Sequence, residues 1–253
     1  MFIDERHTQI VNMLNEEGRV YVKELSKKFN ISESMVRKDL QKLEKDGELK
    51  RTYGGAIQNR KKAENTSIET RLVKNSYIKS QIAEKMCHEI KKNDIIFLDI
   101  SSINYLVAKL IARKNMKVTI ITNMIEIACF FGEDSNTDLI CIGGTYNKRL
   151  GGVIGSIAIE RISKYRVDKA FIGSCGVNVY EKNISNFNLE EGSTKKAIIK
   201  CAKKVYVVIE NEKFEFDGSY KFAELMDIDV FITEETPDKQ IKNAIEESNI
   251  ELL

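Results

Sequence analysis

The chain has 253 residues, with 40 Lys and Arg against 38 Asp and Glu, and a formal charge of +2 at neutral pH. A composition 42% hydrophobic and 31% charged excludes a disordered or fibrous chain, and the length admits one large domain or a small domain attached to a larger one. No run approaches the roughly 20 apolar residues of a membrane-spanning helix, and the first residues lack the basic-then-apolar layout of a secretory signal.

The first 56 residues read as three helical segments and a short extended piece. A helix over about Glu5–Glu16 places Ile10, Val11, Met13 and Leu14 on one side and ends at Gly18. A second carries Val22, Leu25 and Phe29 at i, i+3, i+7. After a break at Asn30-Ile31-Ser32, Ser32 is suited to N-cap a third helix over Glu33–Lys45. At about 100° per residue, Val36, Leu40 and Leu43 form one stripe, and Ser34, Arg37, Lys38, Gln41, Lys42 and Lys45 fall opposite it. Such a face suits major-groove reading: Arg pairs with guanine, Gln reads an adenine edge, and Lys and Ser hold phosphates. The stretch Gly47–Ala56 then reads as a tight hairpin that sets Lys50 and Arg51 near the phosphate backbone as a wing.

These residues carry a resemblance. The pattern Ile31-Ser32-x-x-x-Val36-Arg37-Lys38-Asp39-Leu40-x-x-Leu43-Glu44-x-x-Gly47-x-Leu49-x-Arg51-x-Tyr53-Gly54-Gly55-Ala56 is similar to the winged helix-turn-helix of DeoR-type bacterial transcription regulators. Met35 stands where that pattern usually has Thr, and Lys38 where it has Arg. The resemblance implies binding to a double-stranded DNA operator, with Ser32, Ser34, Arg37, Lys38, Gln41, Lys42, Lys50 and Arg51 as the candidate contacts. One winged helix reads only a few base pairs, so a homo-oligomer, dimer or higher, is expected.

The segment 58–75 lacks a firm period and is rich in Lys, Asn, Glu, Ser and Thr; it is read as a linker between a domain at 1–57 and one at 76–253. Beyond it, strand-like runs alternate with amphipathic ones. The strands are expected at Ile95–Asp99, Val118–Thr122, Leu139–Gly143, Lys169–Gly173, Val205–Ile209 and Val230–Thr233. The helices between them are expected at 78–90, 105–112, 125–131, 158–163, 194–202 and 239–247. This order implies βαβ crossovers and an α/β domain with a doubly wound, mainly parallel sheet.

In such sheets ligands bind beyond the carboxyl ends of the strands. Asp99, Ser101 and Ser102 follow the first strand and open a helix, forming an anion cradle. Asn123 ends the second strand and Gly143-Gly144 the third, while Glu191 and Lys195 lie at the start of a later helix. There, a lysine can reach a phosphate while a carboxylate accepts from sugar hydroxyls. The DeoR resemblance extends over these positions. It implies a C-terminal sensor domain, similar in fold to ribose-5-phosphate isomerase and glucosamine-6-phosphate deaminase, that binds a phosphorylated sugar. The family's D-x-G-[ST]-[ST] loop corresponds to Asp99–Ile103, its T-N to Thr122-Asn123, its G-G to Gly143-Gly144, its E-x-x-T-K-R to Glu191–Lys196 and its S-K-F to Glu212-Lys213-Phe214. Asp99, Ser101, Ser102, Asn123, Gly143, Gly144, Glu191, Lys195 and Lys213 are thus the candidate effector contacts. Ser101 stands where the loop carries Gly, which predicts strain or a narrowed site if a positive φ is needed there. Ile103 replaces a hydroxyl.

The expected function is a repressor of carbohydrate-metabolism genes whose operator binding responds to a phosphorylated sugar. The alternatives are a sugar-phosphate isomerase or deaminase-like enzyme using Asp99, Glu191 and Lys195, and a DNA-binding scaffold without a ligand. The enzyme would leave the DNA reader unexplained and has no His in any strand-end loop. Five scattered cysteines without a C-x-x-C pair, and only two His, predict buried thiols in the cytoplasm with no metal and no cofactor. The net charge divides by segment: residues 1–62 hold 14 Lys and Arg and 10 Asp and Glu, giving +4, and the rest give −2. DNA affinity is therefore expected to rest on a local basic patch rather than on bulk charge.

Overall fold

The structure is a computed structural model that describes residues 2–253. The chain forms two compact units that meet at Lys61/Lys62.

The first unit contains α1 (Ile3–Glu17), β1 (Arg19–Tyr21), α2 (Val22–Phe29), α3 (Glu33–Lys45), β2 (Leu49–Thr52) and β3 (Gly55–Gln58). Its core is Ile10, Leu14, Val20, Val22, Leu25, Val36, Leu40, Leu43, Leu49 and Ala56, so the apolar stripes of all three helices face inward as their spacing predicts. The hairpin is present, with Thr52 opposite Gly55 across a Tyr53-Gly54 turn. β1 adds a third, antiparallel strand against β3. It comes so close that a Cβ on Gly55 would lie 2.0 Å from the Val20 carbonyl oxygen.

The second unit holds seven parallel strands: β4 (Ile95–Leu98), β5 (Thr119–Thr122), β6 (Asp138–Cys141), β7 (Val167–Gly173), β8 (Ala202–Val208), β9 (Val230–Ile232) and β10 (Glu251–Leu252), in the spatial order β10-β9-β8-β7-β4-β5-β6. Alternate residues feed two cores. Phe97, Ala170, Ile172, Val205 and Val207 point to one; Ile96, Leu98, Phe171, Tyr206 and Val208 point to the other. A strand buried on both faces needs this near-continuous apolar run. Helices α5 (Ser76–Glu89) and α6 (Ser102–Arg113) cover one face, and α7 (Ser156–Ile162), α8 (Leu189–Cys201) and α9 (Lys239–Glu247) the other. A smaller antiparallel sheet of Gly176–Asn178, Asn183–Asn186 and Tyr220–Glu224 packs beside α8; these short strands have no counterpart in the sequence reading. The order reverses between β4 and β7, the position at which a crevice opens in a doubly wound sheet.

Within the expected linker at 58–75 the structure places regular elements. Gln58 ends β3, and Ile68–Val73 forms helix α4, capped by the Ser67 hydroxyl accepting from the Thr70 amide. The segment belongs to the second unit: Ala63 donates to the Asp217 carbonyl, Ile68 to that of Arg149, and the Arg71 guanidinium to that of Leu150. A single buried apolar side chain, Ile68, anchors this short helix, so its sequence has no apolar period from which it could be recognised.

Candidate functional site

On α3, Ser34, Arg37, Lys38, Gln41, Lys42 and Lys45 are all exposed or half-buried, opposite buried Val36, Leu40 and Leu43. Ser32 is the N-cap, its hydroxyl accepting from the Met35 amide at 3.2 Å, so this side chain is engaged in holding the helix. Three of the predicted contacts carry a carboxylate partner: Arg37 pairs with Glu33 at 2.7 Å, Lys42 with Asp46 at 2.9 Å and Arg51 with Glu44 at 2.8 Å. Ser34, Lys38, Gln41 and Lys50 make no side-chain bond among the described residues. A groove between α3 and the hairpin is lined by Glu33, Arg37, Arg51, Tyr53 and the start of α2. Behind the exposed face lies a pair the sequence reading missed. Asp39 is buried, receiving Arg6 Nε at 2.7 Å, a second Arg6 nitrogen at 3.0 Å and a contact from His7 Nε2 at 3.2 Å. Burial alone would raise its pKa, but the Arg6 and His7 hydrogen bonds outweigh burial and hold it below the ordinary value.

In the second unit a cavity of about 290 Å³ lies at the carboxyl ends of β4, β7 and β8. Ser101, Ser102, Glu191, Lys195 and Lys213 line it, as expected from sequence. Ile103 lines it too. Five basic side chains (Arg71, Lys74, Lys79, Lys195, Lys213) and four acidic ones (Glu64, Glu191, Glu210, Glu212) share its wall. α6 starts here, and its first amides at Ser102 and Ile103 lack intrahelical partners by helix geometry.

Asp99, by contrast, is not on the lining. Its carboxylate is 1% exposed and is spent inside the protein, accepting from Asn104 Nδ2 at 2.7 Å, the Gly173 amide at 3.1 Å and Lys195 Nζ. Asp99 therefore aims Lys195, which also lies 3.9 Å from Glu191 one turn earlier on α8. Asn123, Gly143 and Gly144 are outside the cavity. Asn123 is buried and donates to the Val153 carbonyl, and the two glycines follow the edge strand β6, with Gly144 backed by Val153. The crevice opens on the other side of β4, so the ends of β5 and β6 do not reach it.

Ser101 is unstrained. It N-caps α6 in extended conformation, φ −155°, its hydroxyl accepting from the Asn104 amide at 3.1 Å. Room for its side chain comes from Gly173, where a Cβ would lie 2.6 Å from that of Ser101.

Residues from the expected linker complete the wall. Glu64, Thr66, Thr70, Arg71 and Lys74 line it, and Lys79 donates to the Arg71 and Lys74 carbonyls, closing α4 against α5. Lys79 also faces Glu210 at 3.7 Å, and Lys213 bonds Glu212 at 2.6 Å. Two polar atoms in this wall are buried without partners: Arg71 Nε and Glu191 Oε2. Burial pushes the Glu191 carboxyl upward against the opposing charges of Lys195 and Arg71, and burial lowers Arg71 and Lys79 against Glu191 and Glu210 respectively. The Cys175 thiol, also on the lining, is pushed up to about 12 by burial and by Glu191, so it stays a thiol at neutral pH. The cavity offers convergent donors for an anion and one unpaired carboxylate oxygen for a hydroxyl donor. The sequence contained Arg71 and Lys79, but no motif marked them before the chain was folded.

Among the described residues, no group of three or more His, Cys, Asp or Glu is placed to hold a metal ion, and no helix is long and apolar enough to cross a membrane.

Comparison with known proteins agrees with the two-unit architecture. Residues 6–62 match the DeoR-like helix-turn-helix domain and residues 74–235 the DeoR C-terminal sensor domain. The HTH-type transcriptional repressor GlcR of Bacillus subtilis is 30% identical over 100% of this chain and 96% of its own length. The lactose phosphotransferase system repressor of Lactococcus lactis is 31% identical over 83% of this chain and 82% of its own. The glycerol-3-phosphate regulon repressor of Escherichia coli is 26% identical over 98% and 97%. Among solved structures, ribose 5-phosphate isomerase A of Methanocaldococcus jannaschii aligns with 55% of this chain and 54% of its own, at 17% identity and a TM-score of 0.40. The chain belongs to the DeoR family: it is a helix-turn-helix transcription regulator with a C-terminal sensor domain, and not an enzyme.

Proposed function

We propose that this regulator represses carbohydrate-metabolism genes from the cytoplasm as a homo-oligomer, dimer or higher, and that a phosphorylated sugar in the β4/β7 cavity changes its affinity for a double-stranded DNA operator. In this reading Arg37 and Gln41 contact base edges, while Ser34, Lys38, Lys42, Lys50 and Arg51 hold phosphates. The effector's phosphate lies among Lys195, Lys213, Arg71, Ser101 and Ser102, and Glu191 accepts from a sugar hydroxyl. The observation that carries the effector reading is the pair of buried, unpartnered polar atoms in one wall, Arg71 Nε and Glu191 Oε2. A buried polar group without a partner costs about 1–3 kcal/mol, and a ligand bearing both an anion and a hydroxyl relieves both. The names of the lactose and glycerol-3-phosphate regulators support the ligand class.

The test is a panel of phosphorylated and unphosphorylated sugars, read by thermal shift and by fluorescence anisotropy on a duplex selected by the protein from a random library. A ligand at 100 times its Kd adds about 2.7 kcal/mol to the stability of the state it binds. One phosphorylated sugar is expected to raise the melting temperature and change the DNA Kd, whereas its unphosphorylated form does neither. Arg71→Gln is expected to abolish both effects while leaving DNA affinity without effector unchanged. If no phosphorylated sugar shifts melting or DNA affinity, or if Arg71→Gln responds as wild type, the effector reading fails.

A further inference from the structure

The hairpin wing is held on its β3 side, where β1 pairs with β3, Ala56 is buried and the Gly54 carbonyl accepts from the Val22 amide at 2.8 Å. β2 is an edge strand in the order β1-β3-β2, and beyond buried Leu49 its residues Lys50, Arg51 and Thr52 are exposed, as is Tyr53 at the turn. No apolar packing therefore fixes the outer half of β2. What ties it to α3 is one carboxylate. Glu44, on the last turn of the helix, accepts the Arg51 backbone N–H at Oε1 (2.9 Å) and the Arg51 Nε–H at Oε2 (2.8 Å). The amide is one that β2, as an edge strand, would otherwise leave to water. The same residue is thus held by backbone and by side chain, and a two-point contact fixes direction as well as distance.

We infer that Glu44 is a positioning residue for DNA binding: its two-point hold on Arg51 sets the angle between the recognition helix and the wing, and so places Lys50, Arg51 and Tyr53 along the duplex. The Arg51 hydrogen bonds also hold the Glu44 carboxyl below the ordinary carboxylate range, so it is ionised across the neutral range. The opposite expectation is simple screening, in which Glu44 only cancels the Arg51 charge and its removal strengthens binding to any DNA. The inference rests on the reading of α3 and the wing as the DNA-contacting surface, and the experiment separates the two.

The full-length Glu44→Ala, Glu44→Gln and Arg37→Ala variants are titrated against a duplex selected from a random library by the wild-type chain, and against random-sequence duplex, over a range of salt. With the wing loosened, Glu44→Ala is expected to bind the selected duplex about tenfold more weakly, with a salt slope shallower by about one for each phosphate the wing no longer holds. Because those contacts are to phosphates, its affinity for random duplex is expected to fall by a similar factor, while its melting temperature stays near wild type. Glu44→Gln keeps an oxygen for the Arg51 amide and is expected to recover most of the affinity. Tighter binding of Glu44→Ala to both duplexes would mean screening and would overturn the inference. So would unchanged binding, or equal weakening on both duplexes with a lowered melting temperature. Wild-type binding by Arg37→Ala would instead place the fault in the choice of DNA-contacting face.

Discussion

The buried pair between Arg6 on α1 and Asp39 on α3 gives the sharpest stability prediction. Both side chains are nearly inaccessible, at 7% and 6% exposure, and two hydrogen bonds join them at 2.7 and 3.0 Å. Asp39→Ala removes the carboxylate and leaves a nearly inaccessible guanidinium without its partner, a change that costs about 3–5 kcal/mol. The first unit ends at Lys61, and about 0.05–0.15 kcal/mol per residue gives so small a unit roughly 3–9 kcal/mol in total. The loss thus consumes a third or more of its stability. At about 4–8 °C per kcal/mol for a domain of this size, the melting temperature falls by on the order of 15 °C or more. Calorimetry on the full chain is the assay: the transition of the first unit moves while that of the second stays. Replacing both partners, Arg6→Met with Asp39→Leu, should recover most of the loss, because neither charge is then buried alone. The pH dependence has a definite sign. Asp39 titrates below its ordinary value in the folded state, so its contribution is complete above the unfolded-state pKa of about 3.9. It is lost as pH falls through the lower folded-state value. An Asp39→Ala protein that melts within a degree or two of wild type, or a double variant no more stable than the single, would refute the reasoning.

Two further predictions concern the cavity of the second unit. Gly173→Ala should destabilise the second unit by about 1–3 kcal/mol through overpacking, since its Cβ would lie 2.6 Å from that of Ser101; Ser101→Gly in the same chain should restore the melting temperature, and a failure of that rescue would count against the contact. Glu191 has a raised pKa from burial, so the folded state holds its proton to higher pH than the unfolded state, and stability falls as pH rises from the unfolded-state value through the folded one. Glu191→Gln should therefore gain stability over wild type as pH increases across that window, whereas a difference in melting temperature that does not change as pH rises from the unfolded-state value to neutrality would exclude the linkage.

Several features were legible before folding because they repeat along the chain. The apolar stripe Val36, Leu40, Leu43 and the polar face opposite it follow from helical geometry alone, and α3 occupies the bounds Glu33–Lys45 read from that period. The six strongly apolar runs each became a strand of the parallel sheet, since a strand covered on both faces must be apolar throughout. β10 was missed, being a two-residue strand near the end of the sequence with too few residues to carry a pattern. The hydroxyls, carboxylate and lysine placed after strands at Ser101, Ser102, Glu191 and Lys195 reached the cavity because strand ends and helix starts lie at the same edge of a doubly wound sheet.

The rest depended on which strands became neighbours. Sequence order makes the ends of β4, β5 and β6 equivalent, but the reversal of strand order opens the crevice only between β4 and β7, leaving Asn123, Gly143 and Gly144 outside. Asp99 reads as a ligand group until the packing of α8 brings Lys195 onto it. The segment 62–75 reads as a linker because its helix is short and mostly polar, and several of those polar side chains prove to face a cavity. The sequence by itself carried the motifs of the family resemblance and determined helix α3 and six of the seven strands of the parallel sheet, the helix and strands resting on local periodicity. Only the tertiary structure decided which charges pair, because burial and partner geometry are properties of residues far apart in the chain. Arg6 with Asp39 is 33 positions apart and Lys195 with Asp99 is 96.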